Sequence, residues 1–207
     1  MIQYLPIEES FIKGEGLYFI LCIWVHGYKQ GIGNRQGEGI GSELLAAAEA
    51  DAQSRGATGM AAWGLWLPVW MKASWFKKHG YKVADREVIS LLVWKAFTAN
   101  AAKPHWIRQR KSVPLIKGKV AVHAFLNGWC PAQNEIYEHA RRACEELGEP
   151  VVFIRYDTTD PEVFAEWGIS DGIFIDGKSI SHGPPISYEK MINKIMGRVK
   201  KHSKCSC

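Results

Sequence analysis

The sequence has few cysteines and lacks any arrangement of them that would cross-link a fold or bind a metal. The five cysteines are scattered, at Cys22, Cys130, Cys144, Cys205 and Cys207, and they form no disulfide framework. They share no zinc-ligand spacing with histidine, and the C-x-C pair at the end is too little for a metal site. Such usage is typical of a reducing cytosol, and no metal is predicted.

Long apolar runs and a strong charge imbalance are also missing. No run reaches the roughly 20 residues that span a bilayer, and no basic-then-apolar leader begins the chain. The sequence therefore predicts a soluble, cytoplasmic protein with no membrane partner. The net charge of +5 suits an anionic ligand and is too small to argue for nucleic acid. A hydrophobic fraction of 47% over 207 residues is enough for one large or two small domains.

A glycine-rich turn stands between a predicted buried strand and a predicted helix. Residues 17–25 form a continuous apolar run, and residues 42–55 show helical spacing of leucine and alanine. The turn between them, 36–42, directs backbone N–H groups to the positive end of the helix dipole, which makes an anion site. No Walker lysine follows the glycines, and their order does not fit a dinucleotide fingerprint.

The spacing Gln36-x-x-Gly39-x-Gly41 resembles the acetyl-CoA pyrophosphate loop of the GNAT superfamily of N-acetyltransferases. A similar stretch at residues 30–33 looks like a local duplication, which we expect to form a protruding loop. The resemblance implies that the strands flanking the helix splay apart and that pantetheine pairs with the backbone of residues 22–25. The cosubstrate residues that it implies are Ile23, Trp24, Val25, Gln36, Gly37, Glu38, Gly39, Ile40, Gly41 and Ser42.

The stretch SWFKKHGY at residues 74–81 is a second point of resemblance to the GNAT proteins, which carry aromatic-Tyr-x-x-x-Gly-aromatic there. In many family members that tyrosine protonates the departing CoA thiolate. Phe76 takes its place here and has no proton to give. Acetyl transfer to an amine also needs a base and a stabilised oxyanion. The candidates are His26, His79, Glu8 and Glu9 as bases and Ser74 as a donor to the thiolate, each with a purely structural role as the alternative.

Four tryptophans follow the glycine-rich helix at short intervals, at Trp63, Trp66, Trp70 and Trp75. They predict either core packing or the aromatic wall of an acceptor pocket, which would favour an apolar or aromatic amine. Only one short predicted strand, at 2–7, precedes the long apolar strand. We therefore expect residues 1–98 to form a GNAT-like domain that lacks the usual first elements.

Residues 99–118 carry several lysines and arginines and no acid, which predicts a solvated linker. Residues 119–200 then predict the order β-α-β-α-β-α, and 201–207 a disordered tail. The order, with Cys130 between the first strand and helix, resembles a thioredoxin-like fold, in which a helix start lowers the pKa of the attacking thiol. Gln133 replaces the second cysteine, so only monothiol chemistry is left, and Asp171-Gly172 stands where that family has its cis-proline.

The two domains in this order are similar to the YoaP-like family, through QGEGIG, SWFKKHGY and the series NGWCP, FIDGK and GPP. The resemblance implies an α/β (α+β) fold and an acetyltransferase that moves acetyl from acetyl-CoA to a small-molecule or protein amine. It leaves a homodimer open. Two alternatives stand beside it: a CoA-binding or interaction protein without turnover, and a monothiol redox protein acting through Cys130.

Overall fold

The computed structural model describes residues 1–67, 70–180 and 185–205, with side chains to residue 203. The chain divides into two compact units, Met1–Ile107 and Arg108–Cys207. Both units combine helices with sheets, which confirms the predicted mixed α and β class. Among the helices in the described ranges, none is long and apolar enough to cross a membrane.

The first unit is built on a five-stranded sheet in the order β1-β3-β4-β6-β5. Only neighbours β3 and β4 in this sheet run parallel, and helix α1 is the crossover that joins them. A separate two-stranded sheet pairs β2 with β7. The elements are β1 (Ile2–Pro6), β2 (Ile12–Lys13), β3 (Leu17–Ile23), α1 (Ile40–Ser54), β4 (Gly59–Leu65), α2 (Ala73–Lys78), β5 (Lys82–Glu87), β6 (Ser90–Ala96) and β7 (His105–Trp106).

Helices α1 and α2 are held against the sheet by the apolar residues that the sequence spacing selects. Leu45, Ala48 and Ala52 of α1 are buried, as helical periodicity predicts. Phe76 of α2 is fully buried in the same core. Gly64 allows α2 to approach β4, since a Cβ there would lie 2.9 Å from the Ala73 backbone. The start of α2 therefore lies directly against β4.

The second unit is a four-stranded sheet in the order β11-β10-β8-β9, with β8 and β9 parallel and the other pairs antiparallel. Helices α3 and α5 cover one face, where Ile136 and Ala140 pack with Met191 and Ile195. The elements are β8 (Val120–Leu126), α3 (Pro131–Leu147), β9 (Val151–Asp157), α4 (Pro161–Trp167), β10 (Gly172–Ile175), β11 (Lys178–Ser179) and α5 (Tyr188–Cys205).

The end of the chain differs from the predicted disordered tail. Helix α5 continues to Cys205, and His202 Nε2 lies 3.0 Å from Asp176 Oδ2 at the turn after β10. This contact ties the last helical turn to the sheet, which spacing alone could not predict. Ser206 and Cys207 lie outside the described residues, as do residues 181–184 with most of the GPP motif.

The predicted linker 99–118 is not solvated throughout, because each of its halves packs on one unit. In the first unit, β7 pairs with β2, and the Trp106 N–H donates to Asp85 Oδ2 over 3.0 Å. In the second unit, the Arg110 N–H donates to the Trp167 carbonyl over 2.8 Å, and Val113 is buried. The basic residues of the segment therefore sit on a backbone that is fixed by apolar and aromatic neighbours.

Candidate functional site

A gap opens between the two parallel strands of the first unit. Strands β3 and β4 pair from Leu17 with Gly59 to Ile20 with Ala62, and their pairing ends there. Strand β3 continues to Ile23 and β4 to Leu65, where β4 pairs only with β6. The strand was predicted to end at Val25, whereas β3 ends at Ile23. The gap lies next to the turn that begins α1.

The backbone of β3 has one occupied edge and one that faces this gap. The Trp24 N–H donates to the Met1 carbonyl over 2.9 Å, and the Met1 amine donates to the Trp24 carbonyl over 2.9 Å. Because backbone groups alternate between the edges of a strand, Ile23 directs its N–H and carbonyl into the gap. The Leu21 carbonyl faces the same way and accepts the Trp63 indole N–H over 2.7 Å. Of the predicted pantetheine residues, Trp24 therefore has its backbone groups already paired.

The glycine loop leaves backbone donors open at the start of α1. Gly37 and Gly39 have φ of 88° and 86°, a conformation that glycine adopts without strain. Gly39 caps the helix, and its carbonyl accepts the Ser42 N–H over 2.8 Å. Within the described residues, the N–H groups of Ile40 and Gly41 have no acceptor. Two donors at a helix N-terminus are a favourable environment for a phosphate.

The other predicted loop residues frame these donors. Gln36 lies against the strand end, with Nε2 3.5 Å from the Val25 carbonyl. Glu38 places a negative charge in the loop, but Arg35 Nη1 lies 3.5 Å from its carboxylate. A Cβ at Gly41 would lie 3.4 Å from Trp75 and 3.7 Å from Val25, so the strand end, the loop and α2 converge at this point.

Ser42 and His79 lie together, although the sequence predicts different roles for them. Ser42 Oγ is 2.9 Å from His79 Nε2, and His79 Nδ1 is 2.9 Å from the Trp75 carbonyl. A carbonyl only accepts, so Nδ1 carries a proton, and in this tautomer Nε2 accepts a hydrogen bond from the Ser42 hydroxyl. The Trp75 ring lies 4.3 Å from the imidazole and fixes its plane. The imidazole therefore positions a hydroxyl at the edge of the loop.

Two of the remaining predicted bases, His26 and Glu8, are tied into local structure, and Glu9 is exposed. His26 Nε2 lies 2.8 Å from the Gln30 carbonyl, and its ring lies edge-on to Trp24 and Tyr28. Glu8 accepts the Gly16 N–H over 2.6 Å, which stabilises the turn before β3. Ser74 is exposed and lines a separate groove beside α2, with its neighbours Ala73 and Lys77.

Tyr81, the aromatic neighbour of Phe76, cannot act as the acid that Phe76 fails to supply. Its ring is fully buried between Trp75, at 5.0 Å, and Tyr81, at 5.4 Å. The Tyr81 hydroxyl is also buried and has no hydrogen bond of normal geometry within the described residues. Burial, and after it the nearby Glu49 carboxylate, raise the pKa of Tyr81 above its usual range. Neither Phe76 nor Tyr81 therefore offers a hydroxyl that could protonate a leaving group.

The four clustered tryptophans separate into inner and outer pairs. Trp63 and Trp75 are half-buried, and both pack at the sites described above. Trp66 and Trp70 are exposed over 63% and 46% of their surface, and Trp70 lies edge-on to Trp63 at 5.4 Å. Pro68 and Val69 between them lie outside the described residues. The cluster therefore contributes both to the gap and to an exposed surface beyond β4.

In the second unit, Cys130 is the N-cap of α3, between the first strand and the first helix as the sequence predicts. Cys130 is only 6% exposed. The turn before it is held by Asp171, which accepts the Asn127 N–H over 3.0 Å and the Trp129 indole N–H over 3.1 Å. Burial raises the pKa of the Asp171 carboxyl. A buried carboxyl group, that of Asp171, thus anchors the turn that precedes Cys130.

Sequence reasoning missed the Trp63 bond to Leu21, the pairing of Met1 with Trp24 and the contact of Ser42 with His79. Each joins residues far apart in the chain, and no local pattern signals them. No group of three His, Cys, Asp or Glu side chains in the described ranges is placed to hold a metal ion. No protein-family model matches the chain, and a search of curated proteins found no match.

Proposed function

We propose that the first unit binds acetyl-CoA and transfers its acetyl group to an amine. The observation that carries the proposal is the gap between β3 and β4 next to open N–H donors at the start of α1. The N–H groups of Ile40 and Gly41 would hold the pyrophosphate, whose charge the helix dipole favours. The backbone of Ile23 would pair with a pantetheine amide in the gap.

In the proposed reaction the neutral amine nitrogen attacks the thioester carbonyl carbon. A C–N bond forms, the C–S bond breaks, and CoA leaves as the thiolate. The proton that the amine loses passes to water or to a base of the acceptor site. Since Phe76 is fully buried and has no proton, the thiolate must be stabilised by N–H groups or water.

The lack of a proton donor at Phe76 favours one alternative, a CoA-binding protein without turnover. Binding needs only the loop and the gap, whereas transfer also needs a base and a stabilised leaving group. His79, the base candidate nearest the loop, already hydrogen-bonds Ser42 and Trp75. Binding and turnover must therefore be measured separately.

We further propose that the chain is GNAT-like followed by thioredoxin-like, as in the YoaP-like family. The parallel pair that stops short beside a glycine loop supports the first assignment. A parallel β8–β9 pair joined by α3, with β10 antiparallel to β8, supports the second. Cysteine usage supports a cytoplasmic location. Monothiol chemistry at Cys130 stays a prediction.

The duplicated glycine stretch supplies a matched pair of variants. Gly39 and Gly33 both have positive φ, 86° and 79°, and a Cβ at either would meet nothing within 4 Å. Aspartate therefore causes similar backbone strain at both, but only Gly39→Asp sets a carboxylate against the proposed pyrophosphate. We expect Gly39→Asp to weaken acetyl-CoA binding at least about tenfold, which corresponds to charge repulsion of about 1.4 kcal/mol or more.

Calorimetric titration of the purified chain with acetyl-CoA, alongside a thiol-release assay with an amine panel, tests the proposal. Binding with release of thiol supports the transferase, and binding alone supports the CoA module without turnover. The loop assignment is refuted if Gly33→Asp and Gly39→Asp change the affinity equally, or if neither changes it.

A further inference from the structure

Strand β9 is an outer strand of the second unit, since its sheet runs in the order β11-β10-β8-β9. It pairs with β8 in an unbroken register along its whole length, Val151–Asp157. In the described part of the chain, no strand pairs with its other edge. A long and regular edge of this kind is open to pairing with a strand from another molecule.

The backbone groups that face this outer edge follow from the hydrogen bonds at both ends of β9. The Val120 N–H donates to the Pro150 carbonyl over 3.0 Å, and the Thr158 N–H donates to the Leu126 carbonyl over 3.1 Å. Residues 150 and 158 therefore direct their backbone groups towards β8, and the directions alternate between them. The residues whose N–H and carbonyl groups both point outward, with no partner in the described ranges, are Phe153, Arg155 and Asp157.

The other outer strands of the two main sheets carry features that hinder such pairing. Strand β1 has a register shift between Gln3 and Tyr4 and ends at Pro6. Strand β5 has a register shift between Val83 and Asp85. Strand β11, at the opposite edge from β9, is only two residues long. Strand β9 contains no proline, no lysine and no bulge, so it is the regular edge among these four.

Strand β9 is complementary to itself when two copies run antiparallel. The pairing that engages all the outward residues sets Phe153 of one copy opposite Arg155 of the other, and Ile154 opposite its own copy. Val152, Ile154 and Tyr156 share one face and are half-buried, so they form an apolar row across the junction. In this register no charged residue lies opposite a like charge, whereas a shift that sets Arg155 opposite its own copy brings two guanidinium groups together.

We infer that this edge is a homodimer interface, in which β9 of two copies pairs antiparallel about a twofold axis at Ile154. A second copy offers the same strand already held in its extended conformation by β8. Pairing therefore orders no flexible segment, whereas a peptide from another protein loses conformational entropy when it binds. One strand pair buries little area, so we expect a dissociation constant in the micromolar range.

Sedimentation velocity of the full chain across the micromolar range tests the inference, and we expect a concentration-dependent dimer. Arg155→Pro should weaken the dimer at least about tenfold, because proline removes one outward N–H from each copy and leaves the hydrogen bonds to β8 intact. Arg155→Ala is the matched control. It keeps the N–H, loses only an exposed side chain that pairs with Asp157, and should dimerise as the parent does.

A pair of charge variants at Ile154 tests the position of the axis. Ile154→Lys and Ile154→Glu each set two like charges opposite one another, so each variant alone should be monomeric. Their equimolar mixture should form a dimer with one copy of each, because the charges are then opposite. Circular dichroism of each variant checks that the second unit remains folded.

A parent chain that stays monomeric across the micromolar range overturns the inference. A dimer that Arg155→Pro and Arg155→Ala form equally well lies at another surface, and it overturns the inference too. So does dimerisation of either Ile154 variant by itself, or a mixture of the two folded variants that stays monomeric.

Discussion

At the scale of single residues, the Ser42 hydroxyl has two possible partners, the His79 imidazole and a bound phosphate. The structure shows the hydrogen bond to His79. In the tautomer that donates to the Trp75 carbonyl, the imidazole accepts the hydrogen bond of the Ser42 hydroxyl, so the hydroxyl has no second proton to donate to a phosphate. We therefore expect Ser42→Ala to change the acetyl-CoA dissociation constant by less than about threefold, because the backbone donors are kept. The loss of one exposed hydrogen bond should lower the free energy of unfolding by about 0.5 kcal/mol.

Calorimetry and thermal unfolding of Ser42→Ala check this expectation, with Ser42→Thr as the variant that retains the hydroxyl. A tenfold weaker affinity in the alanine variant, recovered in the threonine variant, would mean that the hydroxyl itself binds the phosphate.

The second prediction at this scale concerns the stability and turnover of variants at Phe76 and Tyr81. The variant Phe76→Tyr would put a hydroxyl into a fully packed site, which should cost about 1–3 kcal/mol of stability and leave turnover unimproved. The opposite change, Tyr81→Phe, removes a buried hydroxyl without a normal hydrogen bond. That variant should be as stable as the parent or more so. Urea unfolding and thiol release measure both effects.

A rise in thiol release for Phe76→Tyr would show that the ring reaches the leaving group and that its burial is relieved during the reaction. A large loss of stability in Tyr81→Phe would show that its hydroxyl is bonded after all.

At the scale of elements, the sequence was sufficient where burial alone decides the structure. The helix over 40–54 and the strand over 17–23 are set by apolar periodicity, and both were predicted within a few residues. The end of pairing after Ile20 and the indole hydrogen bond at the edge of the gap depend on contacts between distant residues; Leu21 and Trp63 are 42 positions apart. No local pattern encodes such contacts, so the candidate site could be predicted as a loop but not as a geometry.

The packed segment 108–118 leads to a prediction on strand β8. His123 is 1% exposed, with Nε2 3.0 Å from the Pro114 carbonyl and Nδ1 3.1 Å from the Tyr156 hydroxyl. Burial lowers the pKa of His123, against a smaller opposing effect of the Pro114 carbonyl. Below the ordinary histidine pKa of about 6.5, the unfolded chain gains a proton that the folded chain does not. Stability is therefore constant above that pH and falls as the pH drops below it.

Amide hydrogen exchange of β8 at pH 7.5 and 5.5 measures this dependence, after correction for intrinsic exchange. His123→Phe should be less stable at pH 7.5, because the Pro114 carbonyl loses its donor, but should show a smaller drop between the two values. The exposed His105→Gln is the control and should behave as the parent does. An unchanged drop in His123→Phe would assign the acid sensitivity to other groups.

At the scale of the whole molecule, the candidate sites of the two units differ in how accessible they are to solvent. The gap, the glycine loop and the groove of the first unit are open, whereas the single thiol that the second unit presents at a helix start is buried. Cys22 and Cys144 are buried as well, and burial raises the pKa of Cys144 to about 12. This contrast favours acyl transfer in the first unit over thiol exchange in the second.

Alkylation of the native chain decides between these functions. With Cys205 and Cys207 changed to serine, three cysteines remain, all buried. Because an alkylating reagent must reach the thiolate, we expect iodoacetamide to modify all three rapidly in guanidinium and none rapidly in the native chain. The Cys130→Ser variant should then match its parent in native labelling. Fast native labelling that disappears in Cys130→Ser would show that the α3 turn opens to expose a reactive thiol, and the monothiol redox function would become the better proposal for the second unit.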